Sequence, residues 1–316
     1  MTGPAPAAGP VPRRGEEVGA PAQGVAGVPD RCAPAAERRG DPREGTAAPV
    51  PRWFLVEQPG PWGHDALFES DLDSAVAVAL LERAGGAGTR VLLIRRPGRR
   101  PAGGVRRWAV VDSRAGHERI GWGQWRRDAD LLDVPLDEPA GEPSGPAYLV
   151  CTHGRHDACC AIRGRPVAET LALLRPDATW ECSHVGGDHF AANLVVLPHG
   201  LYYGHITPAT AGRLVAAYER GEVEPTWLRG RSAFAAPAQA AQHHARLALD
   251  ETGVDELRPV GMTRLDGTSW RDRLAAPGGG FLLVTVRAGT GPPVRLTCSS
   301  RRAEQGRTWS LVGLHR

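Results

Sequence analysis

The chain has 316 residues, enough for two domains of ordinary size or for one with flanking segments, and enough to bury a sizeable core. Hydrophobic residues make up 41% and charged residues 23%, with no apolar run of the roughly 18 residues that a membrane helix needs, so no membrane partner is expected. The net charge of +3 is small and the basic residues, all arginine apart from histidine, are scattered, which argues against a nucleic-acid partner.

The N-terminal MTGPAPAAGPVPRRGEE lacks the apolar stretch of an export signal, and a cytoplasmic location is expected. Six cysteines in a reducing compartment point to metal binding or redox chemistry rather than to disulfides. Residues 1–49 are rich in Pro, Ala, Gly and Arg with few large apolar side chains, so this segment is expected to stay without structure and its Cys32 to be incidental.

Order is expected to begin with WFLVEQ at 53–58, a strand, followed by the loop PGPWGHDAL, in which Trp62 is assigned to the core. A helix capped by Ser70 carries Leu72, Ala75, Val76, Ala79 and Leu80 on one face and ends at Gly85 and Gly86. The GGAG run there follows a helix rather than a strand, so it fails the structural condition for dinucleotide binding. Strands at 90–96, 108–113 and 118–125 complete a β-α-β-β-β module over 50–145.

A second module, 146–207, repeats the pattern. It opens with the strand AYLVC at 147–151 and the loop CTHGRHDACC. A helix introduced by Pro166, with Val167, Leu171 and Leu174 on one face, leads to short strands at ATWEC, LVVLP and LYYGHI. The remainder, 208–316, reads as a small α+β domain with helices at 207–221 and near 235–250 and strands at 280–287, 293–298 and 308–313. Cys298 falls in the last but one of these strands, where it is expected to pack rather than to bind. The fold class expected is α/β (α+β), with a mixed sheet flanked by helices.

Residues 151–205 hold four of the six cysteines and six of the eleven histidines. No CxxC occurs, which disfavours ordinary dithiol exchange, and Cys151 and Cys160 are farther apart than the knuckles of structural zinc. A 2Fe-2S rhomb suits the wider loop, with Cys151 and Cys160 on one side. The second loop, CSHVGGDH, offers Cys182, His184, Asp188 and His189, and Gly186 and Gly187 allow its backbone to come close.

The stretches RWFLVEQPGPWGHDAL, VLLIRR, CTHGRHDACCAIRGRPVAETLA, WECSHVGGDHFAANLVVLP and LYYGHI resemble the sucrase/ferredoxin-like family over about half the chain. That resemblance implies thioredoxin-like modules and a 2Fe-2S cluster held by two Cys from a C-x8-C loop and, in eukaryotic members, by two His from an H-x3-H loop. Carried over, it places ligands on Cys151, Cys160 and His184. Here the x3 position is Asp188 and His189 follows it, so His189 is preferred as fourth ligand, then Cys182, then Asp188, since imidazole and thiolate suit such sites better than carboxylate. Cys159 is assigned to packing or to a replaceable ligand.

The expected function is that of an electron-transfer protein serving a redox partner, a reductase or an acceptor. No pair of carboxylates is placed for a sucrase. The alternatives are a zinc-binding interaction module and a thiol redox enzyme.

Overall fold

The computed structural model describes residues 30–98 and 104–316. Residues 1–29 of the segment expected to lack structure lie outside this range. The rest of that segment is built into the protein, contrary to expectation. Helix α1 (Cys32–Arg39) carries Pro34 in its first turn and basic residues in its last, where they suit the helix dipole, and Gly40 closes it in the left-handed conformation. Its buried face is Cys32, Ala33 and Ala36, small side chains that bring the helix close to its neighbours. The chain from 41 to 50 is then tied down, with the Thr46 amide on the Arg229 carbonyl and the Val50 amide on that of Ser232.

Among the described residues ten strands form one mixed sheet. The first module contributes β1 (Arg52–Glu57), α2 (Ser74–Gly86), β2 (Thr89–Arg95), β3 (Arg106–Asp112) and β4 (Arg119–Trp125), followed by the short β5 (Glu142–Pro143). The second contributes β6 (Ala147–Cys151), α3 (Ala158–Leu174), β7 (Thr179–Cys182), β8 (Leu194–Leu197) and β9 (Leu201–Tyr203). After α4 (Pro208–Glu219), strand β10 (Leu228–Arg231) pairs with β9. The large sheet therefore runs past residue 207, and α4 and β10 belong with the second module rather than with the tail.

The two modules share one topology. In each, the first strand runs parallel to the second across a helix and antiparallel to the third, which pairs antiparallel with the fourth. The resulting order, second-first-third-fourth, is that of the expected thioredoxin-like modules. Both first strands are almost continuously buried, Trp53 to Val56 and Ala147 to Cys151, as strands covered on both faces must be. The modules meet where β2 pairs antiparallel with β7, through Ile94 opposite Cys182 and Arg95 opposite Glu181. Because these are the last residues of their strands, the carboxyl ends of both modules converge on the seam. Loops at strand carboxyl ends are the usual place for ligands in such sheets.

Two local expectations change. Asp73, not Ser70, caps α2, accepting from the amides of Ala75 and Val76. Helix α3 starts at Ala158, eight residues before the expected Pro166, because Asp157 caps it by accepting from the Cys159 amide. Pro166 lies within the helix on its exposed face, where water can serve the carbonyl its ring leaves unbonded.

The tail packs α5 (Ala236–Leu249) on a four-stranded antiparallel sheet of β11 (Pro259–Arg264), β12 (Ser269–Ala275), β13 (Phe281–Val294) and β14 (Glu304–His315). Ala240, Ala241 and Ala245 meet Leu274, Leu282, Val284, Val286 and Trp309. Strands β11 and β12 went unforeseen because their sequences, PVGMTR and SWRDRLA, are polar, and β11 is an exposed edge. The expected separate strand at 293–298 does not form, its first two residues being the end of β13. Cys298 lies instead in the irregular connection between β13 and β14. Among the described residues no helix is long and apolar enough to cross a membrane.

Candidate metal centre

Three pieces of the second module build the site. Strand β6 ends at Cys151, a six-residue loop turns back, and the first turn of α3 presents Cys159 and Cys160. Gly164, one turn farther on, lets α3 lie against β6, since a Cβ there would strike the Cys151 carbonyl oxygen. Strand β7, parallel to β6, sets Cys182 beside Cys151 in register. The chain then passes through Gly186 and Gly187, both at positive φ, into a single 3-10 turn, Asp188–Phe190.

Cys151 and Cys160 are each 1% exposed and are neighbours in the interior. The hydrogen bond from Cys160 lowers the pKa of Cys151 against its burial, while the same pairing, with burial, pushes that of Cys160 up. The Cys160 sulfur also lies 3.3 Å from Oδ1 of Asp188. Asp188 in turn stands 3.0 Å from Nδ1 of His184, and its second oxygen 3.6 Å from Nε2 of His156. Burial works against the Asp188 carboxylate, but the adjacent His184, Cys160 and His156 hold its pKa below the ordinary value.

The structure therefore sets Cys151 beside Cys160 and links Cys160 to His184 through Asp188. It does not bring in His189. In the tight turn Asp188 and Phe190 point inward and His189 between them points elsewhere, its Nδ1 3.2 Å from the Leu296 carbonyl and its ring against Phe190. It borders a separate hollow of about 340 Å³ shared with Thr46, Arg229 and Leu296. Burial, then Arg229, pulls its pKa down to about 4. Cys182 is buried beside Cys151, with its pKa pushed well up by burial and then by that neighbour. Cys159 turns away from Cys160 toward Cys32 and Cys298.

The site has two unlike sides. Its sulfurs face the protein interior, while the side chains of His156 and His184 are 28% and 29% exposed and border a cleft of about 640 Å³. The His156 and His184 rings are 3.7 Å apart. The first module closes the seam here: His153 Nε2 lies 2.9 Å from the Gly63 carbonyl, and the Trp62 ring meets the His153 ring edge-on at 5.8 Å. Trp62 is thus a core residue, as expected, that also walls the site.

Sequence reasoning missed Arg229. It is 2% exposed and spreads beneath the loop, donating to the carbonyls of Gly186 at 2.9 Å and Thr46 at 2.7 Å, to Asn193 Oδ1 at 2.8 Å and to the Thr46 hydroxyl at 3.1 Å. A Cβ on Gly187 would strike its guanidinium. Burial lowers the Arg229 pKa to about 10, against the pull of Tyr202 and of Asp188, Cys160 and Cys151. Nothing in WLRGRS marks such a buried cation, because its role arises only when β10 pairs beside the second module.

The donors suit a metal. The ligand atoms of His156, His184 and Asp188 lie within 4.8 Å of one another, the Cys160 sulfur adjoins Asp188, and Nδ1 of His184 finds no well-aligned hydrogen bond.

Comparison with known families matches residues 44–230, more than half of the chain, to the family described as sucrase/ferredoxin-like. No curated protein matches. Among solved structures the chain is similar to a variant of the thioredoxin-like 2Fe-2S ferredoxin from Aquifex aeolicus, at 18% identity and a TM-score of 0.24, covering 27% of this chain and 97% of that one. The family match contains Cys151, Cys160, His184 and Asp188 but neither Cys32 nor Cys298.

Proposed function

Because the chain belongs to the sucrase/ferredoxin-like family, we propose that it is a 2Fe-2S electron carrier, with Cys151, Cys160 and His184 as ligands and Asp188 as the fourth, and that it exchanges electrons with a protein partner. The observation that carries this reading is Cys160, whose sulfur sits between the Cys151 thiol and the Asp188 carboxylate, so that a sulfur pair and a nitrogen-oxygen pair face each other. A bound 2Fe-2S group supplies one-electron exchange, and a neutral imidazole in place of a thiolate raises its potential. The chain's own residues do the rest. Burial of Cys151 and Cys160 keeps water from the sulfurs, Arg229 offsets the negative charge of the thiolates and of Asp188, and His156 and His184 give the site its edge on the cleft.

A second reading is one zinc ion on the same residues, making the chain a metal-stabilised interaction module. The donor types favour it, since cysteine, histidine and aspartate are the ligands of zinc and Asp188 links the Cys160 sulfur at 3.3 Å to Nδ1 of His184 at 3.0 Å. Iron and acid-labile sulfide analysis of anaerobically purified protein decides between them. The cluster predicts a red-brown protein, bleached by dithionite, with a paramagnetic signal on reduction. A colourless protein with zinc and no sulfide at this site overturns the electron-carrier reading.

A further inference from the structure

Three thiols and a carboxylate meet on the other side of the first turn of α3. The Cys298 sulfur lies 3.5 Å from that of Cys32 and 3.5 Å from that of Cys159. The Cys32 sulfur lies 3.7 and 3.6 Å from the two oxygens of Asp157. One ligand atom from each of the four residues fits within 4.8 Å of every other. Cys32, Asp157 and Cys159 are buried and Cys298 is partly so. They come from the N-terminal helix, the cap and second residue of α3, and the connection between β13 and β14, with 266 residues separating Cys32 from Cys298.

We propose that Cys32, Cys159, Cys298 and Asp157 form a second metal site that binds one zinc ion, separate from the centre at Cys151 and Cys160. The spacing fits a tetrahedron. With Zn–S bonds of about 2.3 Å, sulfurs on one ion stand about 3.8 Å apart, close to the separations here, and a set of three thiolates and one carboxylate closes the sphere as structural zinc requires. Positive partial charge faces two of the sulfurs. The Cys32 amide points at the Cys298 sulfur at 3.4 Å, and Cys159 occupies the positive end of a 17-residue helix. Asp157 is held in place by the amides of Cys159 at 2.7 Å and Cys298 at 2.6 Å, the outer contacts that orient a metal-binding carboxylate.

The ion would clamp α1 and the tail connection onto α3. Two consecutive cysteines then serve two sites, Cys160 inward to the centre and Cys159 outward to the clamp. Two of the four ligands lie outside the residues that match the family, so the clamp belongs to the whole chain.

The test is elemental analysis of the full-length protein, purified anaerobically, beside Cys298→Ser and Cys32→Ser/Cys298→Ser variants. The proposal expects zinc in the parent protein, lost in the variants while iron and sulfide, or whatever metal the centre holds, stay unchanged. Cobalt supplied in place of zinc is expected to give thiolate charge-transfer and tetrahedral bands in the parent and not in the variants. Because Cys298 lies in a connection, its replacement spares every helix and strand, and circular dichroism checks that it folds. The proposal fails if the parent holds no metal beyond that of the centre, if the double variant holds as much zinc as the parent, or if mass mapping finds Cys298 in a disulfide with Cys32 or Cys159. A cluster lost from the Cys151 centre with clamp zinc retained would instead refute only the electron-carrier reading.

Discussion

Replacing Arg229 tests whether a buried cation holds the loop of the centre in place. Its guanidinium makes four hydrogen bonds, to the carbonyls of Gly186 and Thr46, to Asn193 and to the Thr46 hydroxyl, while 2% exposed. Arg229→Met keeps most of the stem but leaves two carbonyls and the Asn193 oxygen in the interior without a donor. At roughly 1 to 3 kcal/mol for each unsatisfied group the gross cost is roughly 3 to 9 kcal/mol, and release from burying a charge offsets part of it, so a loss of about 4 kcal/mol is expected. Arg229→Lys keeps the charge without the planar fork and should fall between, near a loss of about 2 kcal/mol. Urea unfolding followed by tryptophan fluorescence measures both, and the metal content of each purified variant reports the centre, which should empty more in the Met variant than in the Lys one. A Met variant within about 1 kcal/mol of the parent and with full metal would show that the guanidinium neither supports the loop nor balances its charge.

Other expectations concern the ligands and the pH response. Asp188→Ala should lower metal retention at the centre at least about 10-fold in a chelator challenge, and Asp188→His, which restores a nitrogen donor at that position, should recover most of it. His189→Ala should leave metal content and colour unchanged, because its ring faces another hollow; loss of the metal would return His189 to the ligand set. Cys160→Ser should empty the centre, read as loss of its metal by elemental analysis. His205, 6% exposed and with both ring nitrogens unbonded, has its pKa pulled down by burial to about 4. The unfolded chain, titrating near 6.5, takes up the proton first, so stability is full above about pH 6.5 and falls as the pH drops toward 4. Between about pH 7.5 and about pH 4.5 this amounts to about 2.5 kcal/mol, which His205→Asn should remove from the acid loss seen in denaturant titrations. Parallel losses in the two proteins would rule out His205 as the source.

The strands of both modules could be read from continuous apolar runs such as WFLV and AYLVC, whose burial on two faces leaves an unmistakable pattern. The recurrence of the module was legible for the same reason. Of the candidate centre, Cys151 and Cys160 were legible from their spacing, and His184 from the family resemblance. That Asp188 rather than His189 faces inward was not legible, because chemical preference favoured the imidazole while a tight turn aims only one of two neighbours inward. Cys32 and Cys298 looked incidental because each is solitary in sequence; their meeting depends on the docking of α1 and of the tail connection, which no local pattern encodes. The start of α3 was misplaced because proline is a strong punctuation mark, and the Asp157 cap, the signal that decided the boundary, lay within a loop already assigned to ligands.

The seam between the modules is narrow: β2 and β7 share only the pairs Ile94–Cys182 and Arg95–Glu181, and Cys182 is also the lateral neighbour of Cys151. A force that slides one half of the sheet along the other therefore strains the strand beside Cys151, together with the contacts of His153 with Gly63 and of Ser183 with Leu93. If the centre binds a metal as proposed, filling it and straining this joint act on the same strands, so a partner that grips both halves would by reciprocity change the affinity of the centre for that metal.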